Sequence, residues 1–463
     1  MIKNNKFWTL IDRLEYFGVL LLIALTPIML QNVYTSPFQV EWLRRVQPVD
    51  LFFIPLFVIW LVGTIRNPSR LRRVPLKTPL LIYVAAIILS VVHAGGMEKG
   101  MIEVLITAYL IALYFIVATV LNNEQCLLRA LRIWLLTAIA VTAVGLIGYA
   151  VAVATSQENF FAYIGRDMPI FWRSFRIRSS FQPTSKLFST YMLLTIPLVI
   201  IYCIDLCRTF LTRWLIGVVG VFMVIATVLT LSRHVFALFV EMGLLLIFCM
   251  RRVPTPKRKK LLGFAAIAFT VIGVSGVFAD QAYSSFHIAS VKFLHGSDPA
   301  NMVHEHHYYS ADPKRGLETV SLSVDYVYGS YYWAKRGALW MFTKHPLVGI
   351  GEGGFGKYYK VFMDEIGLQK DMVTLASAHN QLLNSLSETG ILGASALVVL
   401  WICVFRSLVL AYRRPLDNRG MSSLALNKAF LIGFVGLMIA SLNLDFMNFR
   451  FVWLALGIAM SSV

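Results

Sequence analysis

The chain is short of charge. Only 14% of its 463 residues are Asp, Glu, Lys or Arg, where a soluble domain carries about a quarter. Acidic residues are the scarcer kind, 24 against 42 basic ones. The five cysteines, Cys126, Cys203, Cys207, Cys249 and Cys403, all fall in or beside apolar stretches, so no disulfide framework is indicated for the polar segments. There is no Asp-x-Asp pair to hold a divalent cation on a nucleotide sugar, no His-Glu-x-x-His, no fixed-period repeat and no low-complexity tract. Barrel-type alternation is also missing.

What is present is apolar: 58% of the residues, in recurring runs of roughly 17–25, each enough for one helical crossing of a bilayer. Lipid offers no partners to open backbone groups, so the spans are helices and the fold class is an all-α polytopic membrane protein. Twelve spans are predicted, near residues 14–32, 48–65, 79–93, 101–121, 133–153, 184–204, 214–231, 235–250, 261–279, 389–410, 428–444 and 450–463. The basic N-terminus lacks a small-residue cleavage site and reads as a retained anchor.

The net charge of +18 would suggest nucleic acid on a soluble protein. Here it reports topology, because alternate connections such as RNPSRLRRVPLK, RRVPTPKRKK and AYRRPLDNR carry it. That side is expected to be cytoplasmic, with both termini. The chain then divides into spans 1–9 over residues 1–279, one large outer loop over 280–388, and spans 10–12 over 389–463. A loop of that length is expected to fold over the membrane surface.

Several residues stand out against this background. Arg166, Arg173, Arg176 and Arg178 lie in an outer loop, against the positive-inside bias. Arg233 follows Ser232 in a tight turn between two spans, where an arginine either snorkels or binds an anion. A guanidinium fork suits phosphate, so one anionic ligand shared by the two arginine sites is a reading; ordinary phospholipid is its rival.

Two motifs are discounted. Gly349, Gly351 and Gly354 spell G-x-G-x-x-G without the strand–turn–helix context of a nucleotide site, and tight turns are the simpler account. His304, His306 and His307 match no zinc spacing, so no metal is expected.

The segment SAHNQLLNSLSETGILG, residues 377–393, joins the long polar loop to an apolar run. Ser377 is placed to cap a helix on which 379, 383, 386 and 390 share a side, with Gly390 and Gly393 as close-packing positions. An imidazole there has the proton affinity to take a proton from a hydroxyl, although a lone histidine is more often structural.

This stretch resembles the signature of the O-antigen ligase and polymerase superfamily: His379, Asn380, nine residues, Gly390, two residues, Gly393. Three further similarities occur in order. RIRSSFQPTSKLFSTYMLL resembles an Arg-x-x-Gly-x-Phe segment, with Arg176, Ser179 in place of Gly, and Phe181; Arg176 or Arg178 is the functional match. LTLSRHVFALF resembles a Ser-Arg turn at Ser232 and Arg233, and RGALWMFTKHPLVGIGEGGF an Arg…Trp…His-Pro…Gly-x-Gly stretch containing Arg336.

The resemblance implies about twelve helices with one large periplasmic loop, a GT-C-like architecture in the bacterial inner membrane. It implies an enzyme that needs no cofactor or metal and moves a glycan from undecaprenyl diphosphate. The acceptor is lipid A–core in a ligase, or a second lipid-linked glycan in a polymerase. His379 would be the base or acceptor-positioning group. Arg233 and Arg176 or Arg178 would hold the diphosphate, with Arg336, Asn380 and Ser232 in substrate binding. Asn380 and Glu388 would orient the histidine, and Tyr331, Tyr332 and Trp333 would line the acceptor path or simply the loop core. A non-catalytic lipid-glycan transporter is the rival of another class, and the scarcity of charge inside the spans (Glu103, Asp205, Glu241) argues against it.

Overall fold

The computed structural model describes residues 5–29, 47–72, 74–95, 98–164, 175–181, 184–207, 209–232, 234–250, 330–366, 376–413 and 421–461. The expected span at 261–279, Arg166, Arg173, Arg233 and the histidines at 304–307 lie outside these residues.

The described chain is almost wholly helical. Its helices are α1 (Asn5–Leu25), α2 (Pro48–Arg66), α3 (Ser69–Arg72), α4 (Lys77–His93), α5 (Glu98–Val120), α6 (Glu124–Thr155), α7 (Ser185–Ile201), α8 (Phe210–Val228), α9 (His234–Met250), α10 (Ser330–Lys344), α11 (Phe355–Glu365), α12 (Gln381–Arg413), α13 (Met421–Ala440) and α14 (Arg450–Ser461). Six helical segments are long and apolar enough to cross a membrane, and four shorter helices are apolar as well. With the wide exposure of Leu51, Ile54, Phe210, Trp214 and Val221, this describes a multi-pass membrane protein.

Local sequence sets many of the boundaries. Pro48 stands at the start of α2, with Gln47 and Asp50 bonded reciprocally as a capping box. Asn123 accepts from Cys126 N to cap α6, and Thr209 accepts from Thr212 N to cap α8. Pro197 sits inside α7, and a π-helical turn follows at Tyr202–Leu206, where Asp205 pairs with Lys428 of α13 at 3.2 Å. Ser185–Leu206 is 78% buried, while the other five long segments range from 22% to 39%, so α7 is the central post of the bundle. It packs on α8, α9 and α13; α5 packs on α14, and α4 on α12.

One end of the bundle gathers the ends of α1, α4, α6, α8 and α13 with the starts of α2, α5, α7, α9, α12 and α14. Backbone bonds there join Met29 to Ser180 and Ile177 to Leu229. Arg450 at the start of α14 grips Asp50 at the start of α2 at 2.6 Å, with Tyr109 of α5 on the same carboxylate at 2.8 Å. A hairpin, β1 (Ala162–Ile164) with β2 (Phe175–Ile177), lies on this end in antiparallel register, Tyr163 opposite Arg176.

Helix α12 departs from expectation. It was expected to pack as an unbroken helix through Gly390; instead the backbone breaks there, at φ 63° and ψ −165°. The groups freed by the break are taken up by the segment between α10 and α11. Ile350 N and Gly351 N donate to Ser387 O and Glu388 O at 3.0 and 2.9 Å, while Ile391 N and Leu392 N donate to Pro346 O and Leu347 O at 2.8 and 3.2 Å. A Cβ on Gly390 would strike the Leu347 carbonyl, and one on Gly349, itself at φ 70°, the Glu388 carbonyl. The glycine motif at 349–354 is thus half of a backbone clasp, and Gly390 is the other half rather than a packing notch for a neighbouring helix. Gly390→Ala and Gly349→Ala are each expected to lower stability by about 1–3 kcal/mol, read as a fall in the thermal unfolding midpoint of the detergent-solubilised protein. Gly217→Ala, inside α8 where nothing lies within 4 Å of the added methyl, is the control and should hold or raise the midpoint.

Candidate functional site

The site is built on the turn before α12. Asn380, not Ser377, caps the helix: its Oδ1 accepts from Leu383 N at 2.9 Å. Ser377 Oγ instead accepts from His379 N at 3.3 Å, and Ala378 N donates to Asn384 Oδ1 at 3.0 Å. These bonds hold His379 in the left-handed region at φ 48°, one step before the helix rather than on its face. Histidine tolerates that conformation better than most residues. Asn384 Nδ2 continues to Glu388 Oε2 at 2.7 Å, and Glu388 Oε1 accepts from Phe355 N at the start of α11 at 3.1 Å. Glu388 therefore fastens α11 and, through Asn384, the histidine turn.

The segment between α13 and α14, residues 441–449, locks onto the same turn. Gln381 Oε1 accepts from Phe446 N and Met447 N at 2.9 and 3.1 Å, Gln381 N donates to Ser441 O at 2.9 Å, and Asn380 Nδ2 donates to Leu442 O at 3.1 Å. Asp445 is carried on this segment and hydrogen-bonds Ser377. Its Oδ1 is buried without a hydrogen-bond partner.

Positive charge surrounds the histidine. Burial lowers the His379 pKa to about 4, and Lys186 in the first turn of α7 and Lys335 on α10 add to the effect. Lys335 Nζ also reaches Asn443 Oδ1 at 3.5 Å. Arg336, the residue expected to bind substrate from this helix, is exposed on another side of α10.

The two hairpin arginines separate cleanly. Arg178 Nε donates to Phe160 O and its Nη2 to Asn159 O, both at 3.0 Å, and the guanidinium lies over the Tyr163 ring. Its donors serve the hairpin. Arg176 is buried, 7% exposed, opposite Tyr163, whose hydroxyl meets Ser185 Oγ at the start of α7 at 3.1 Å. Of the pair, Arg176 is the buried one, on the strand that packs against α6 and α7.

Ser232 belongs to a buried chain of hydroxyls. Thr230 Oγ1 donates to Ser232 Oγ at 3.1 Å, Ser232 Oγ to Ser189 Oγ at 3.0 Å, and Ser189 Oγ meets His234 Nδ1 at 2.8 Å. His234, next to Arg233 in sequence, feels the same Lys186 charge as His379. Sequence reasoning missed His234, Lys186 and Asp445. The usable signal for the first two was Ser189 and Thr190 one turn beyond Lys186, a polar patch inside an otherwise apolar span.

The N-termini of α7, α9 and α12 thus lie at one end of the bundle, where Lys186 acts on both His234 and His379 and Lys335 on His379. Helix N-termini favour anions, and the lysines reinforce that field. Beside it lies an acidic corner. Glu352, in the segment before α11, has its pKa pushed up to about 8 by burial, then by Glu103 and Asp445. Asp445 is raised to about 6 by burial, against the pull of Ser377 and Lys186. Among the described residues, no group of three His, Cys, Asp or Glu is disposed to hold a metal.

The profile of one known family, described as O-antigen ligase, matches residues 218–398. The matched segment runs from α8 through the Ser232–His234 turn to His379 and the α12 break. Over that segment, less than half of the chain, the protein is similar to the O-antigen ligase family. A comparison with curated proteins gives no match.

Because the His379 pKa falls from 6.5 to about 4, the unfolded chain takes up this proton first as pH drops. The stability it contributes is present above pH 6.5 and is lost as pH falls toward 4. The unfolding midpoint of the native protein should therefore fall relative to His379→Gln between pH 6.5 and 4.5. A constant difference across that range would show the imidazole to titrate normally.

Proposed function

We propose that the protein is a glycosyltransferase of the ligase type, moving a glycan from a polyprenyl diphosphate, undecaprenyl diphosphate in the bacterial inner membrane, to a lipid A–core acceptor. The observation that carries this reading is the fixed turn of His379, inside the segment matched to the O-antigen ligase family and flanked by Lys186 and Lys335. The site end of the bundle faces the periplasm in this reading, and both chain termini face the cytoplasm.

The donor's diphosphate sits at the α7 N-terminus, held by Arg176, Lys186 and Arg233. These cations neutralise the charge that grows on the phosphate oxygen as its bond to the sugar breaks, so no metal is needed. The acceptor hydroxyl attacks the anomeric carbon from the opposite side and inverts it. His379, neutral at pH 7, activates or positions that hydroxyl. Asn380 and Glu388 act through the backbone by fixing the turn, and Ser232 supports the α9 end of the site.

Purified protein given a polyprenyl-diphosphate-linked glycan and a lipid A–core acceptor should form product without nucleotide or added metal. His379→Ala is expected to reduce turnover about 100-fold or more. Arg176→Lys should raise the donor KM about tenfold, whereas Arg178→Lys should lower thermal stability and leave the donor KM near native. The reverse pattern would reassign the diphosphate contact. Replacing the acceptor by a second lipid-linked glycan, and finding faster transfer to it, would make the enzyme a polymerase.

A further inference from the structure

A small, partly open polar cavity lies behind the histidine turn, lined by Tyr83, Thr107, Glu352, Asn384, Asp445 and Asn448 among others. Its free space holds about one water-sized group, too little for a sugar ring and enough for a hydroxyl. Into it comes a carboxylate with two unlike oxygens. One side of Asp445 is oriented by Ser377, the same hydroxyl that receives His379 N. Oδ1 is buried with no partner. Such an atom is costly to keep unless a donor arrives during function.

We propose that Asp445 is the general base of the transfer and that the polar cavity seats the acceptor hydroxyl. This rests on the glycosyl-transfer reading above and divides the labour that it leaves to His379: the imidazole positions the acceptor, and the carboxylate takes its proton. The O–H bond of the acceptor breaks and its proton goes to Asp445 Oδ1. The oxygen's electron pair forms the new bond to the anomeric carbon. The bond from that carbon to the phosphate oxygen breaks, and its electron pair leaves on the diphosphate. Asp445 then returns the proton to water.

The surroundings suit that task. Glu352 faces Asp445 from the segment before α11, Lys186 from α7, and Tyr83 of α4 lines the same cavity; Glu103 of α5 and Glu388 of α12 stand behind Glu352. Burial raises the proton affinity of Asp445 to a pKa of about 6, against the smaller pulls of Ser377 and Lys186. Glu352, with the higher pKa, retains its proton and so does not add a second charge. Asp445 reaches the turn only through side chains, since Gln381 carries the backbone attachment of its segment. Asp445→Asn therefore removes the proton acceptor and keeps the architecture.

The test compares native, Asp445→Asn and Asp445→Glu proteins in the donor–acceptor assay across pH 5–8. Asp445→Asn is expected to lower kcat about 100-fold or more with the donor KM within about twofold of native, and to abolish the acidic limb of the kcat/KM profile near pH 6. Asp445→Glu should restore part of the rate. An Asn variant within about threefold of native, or an acidic limb that persists in it, would overturn the proposal. Infrared titration supplies a readout without activity: a protonated-carboxyl band disappearing as pH rises through about 6, absent from Asp445→Asn. A native protein that shows the band but transfers nothing from this donor would sink the donor assignment while upholding the buried proton acceptor. A native protein without the band would sink the base assignment alone.

Discussion

The site depends on a helix that is broken where it would be simplest to continue. At Gly390, α12 gives up its own hydrogen bonds and exchanges four of them with residues 346–351. Open backbone within a membrane bundle is tolerated only when protein satisfies it, and here residues 346–351 take up two carbonyls before the break and two amides after it. The cost in conformational freedom is that neither Gly349 nor Gly390 can carry a side chain. What results is a fixed distance between α12 and the segment leading into α11. Ser90 Oγ of α4 also donates to Glu388 O at 2.5 Å, so the clasp ties α4 as well.

The histidine turn inherits its rigidity from that clasp. Glu388 offers its carbonyl to the clasp and its carboxyl to α11 and Asn384, and Asn384 in turn holds Ala378 N. On the other flank, Gln381 binds three backbone groups of residues 441–447. His379 therefore sits between two segments that are distant in sequence and bonded to the same helical turn. A misplacement of about 1 Å at a reacting group can cost about 100-fold in rate, which gives such redundancy a function.

Much of this was legible in the sequence, and the exceptions share a cause. The run 48–65 coincides with α2 because Pro48, Asp50 and the apolar stretch are local signals. His379 and Asn380 were found because motif spacing is local too. Gly390 was misread, since a glycine in a helical pattern is tolerated at about 1 kcal/mol and nothing nearby announces a break. The reason for the break lies some forty residues upstream, in glycines whose pattern resembled a nucleotide loop. Ser377 looked like the cap because serine is a good one, yet Asn380 is as good and stands where the helix begins. Arg176 and Arg178 were indistinguishable as letters. Only the hairpin register shows Arg178 bonded to Phe160 and Asn159. Asp445 had no signal at all: an acidic residue between two apolar runs reads as solvated, and its burial comes from packing against residues 352 and 377.

The charges at the site end act on one another through Lys186, which reaches His234, His379 and Asp445. An anion brought to the α7 terminus would lie beside Lys186, in that helix's first turn. Two unit charges 4 Å apart interact by about 4 kcal/mol at an effective dielectric constant of 20. A lysine close to both an anion and a carboxylate therefore offsets part of their mutual repulsion. The same lysine lowers the proton affinity of both His379 and Asp445. One side chain in the first turn of the central helix thus acts on an imidazole and a buried carboxyl at once. Replacing Lys186 by a neutral residue would therefore change the field at both side chains rather than delete a single contact.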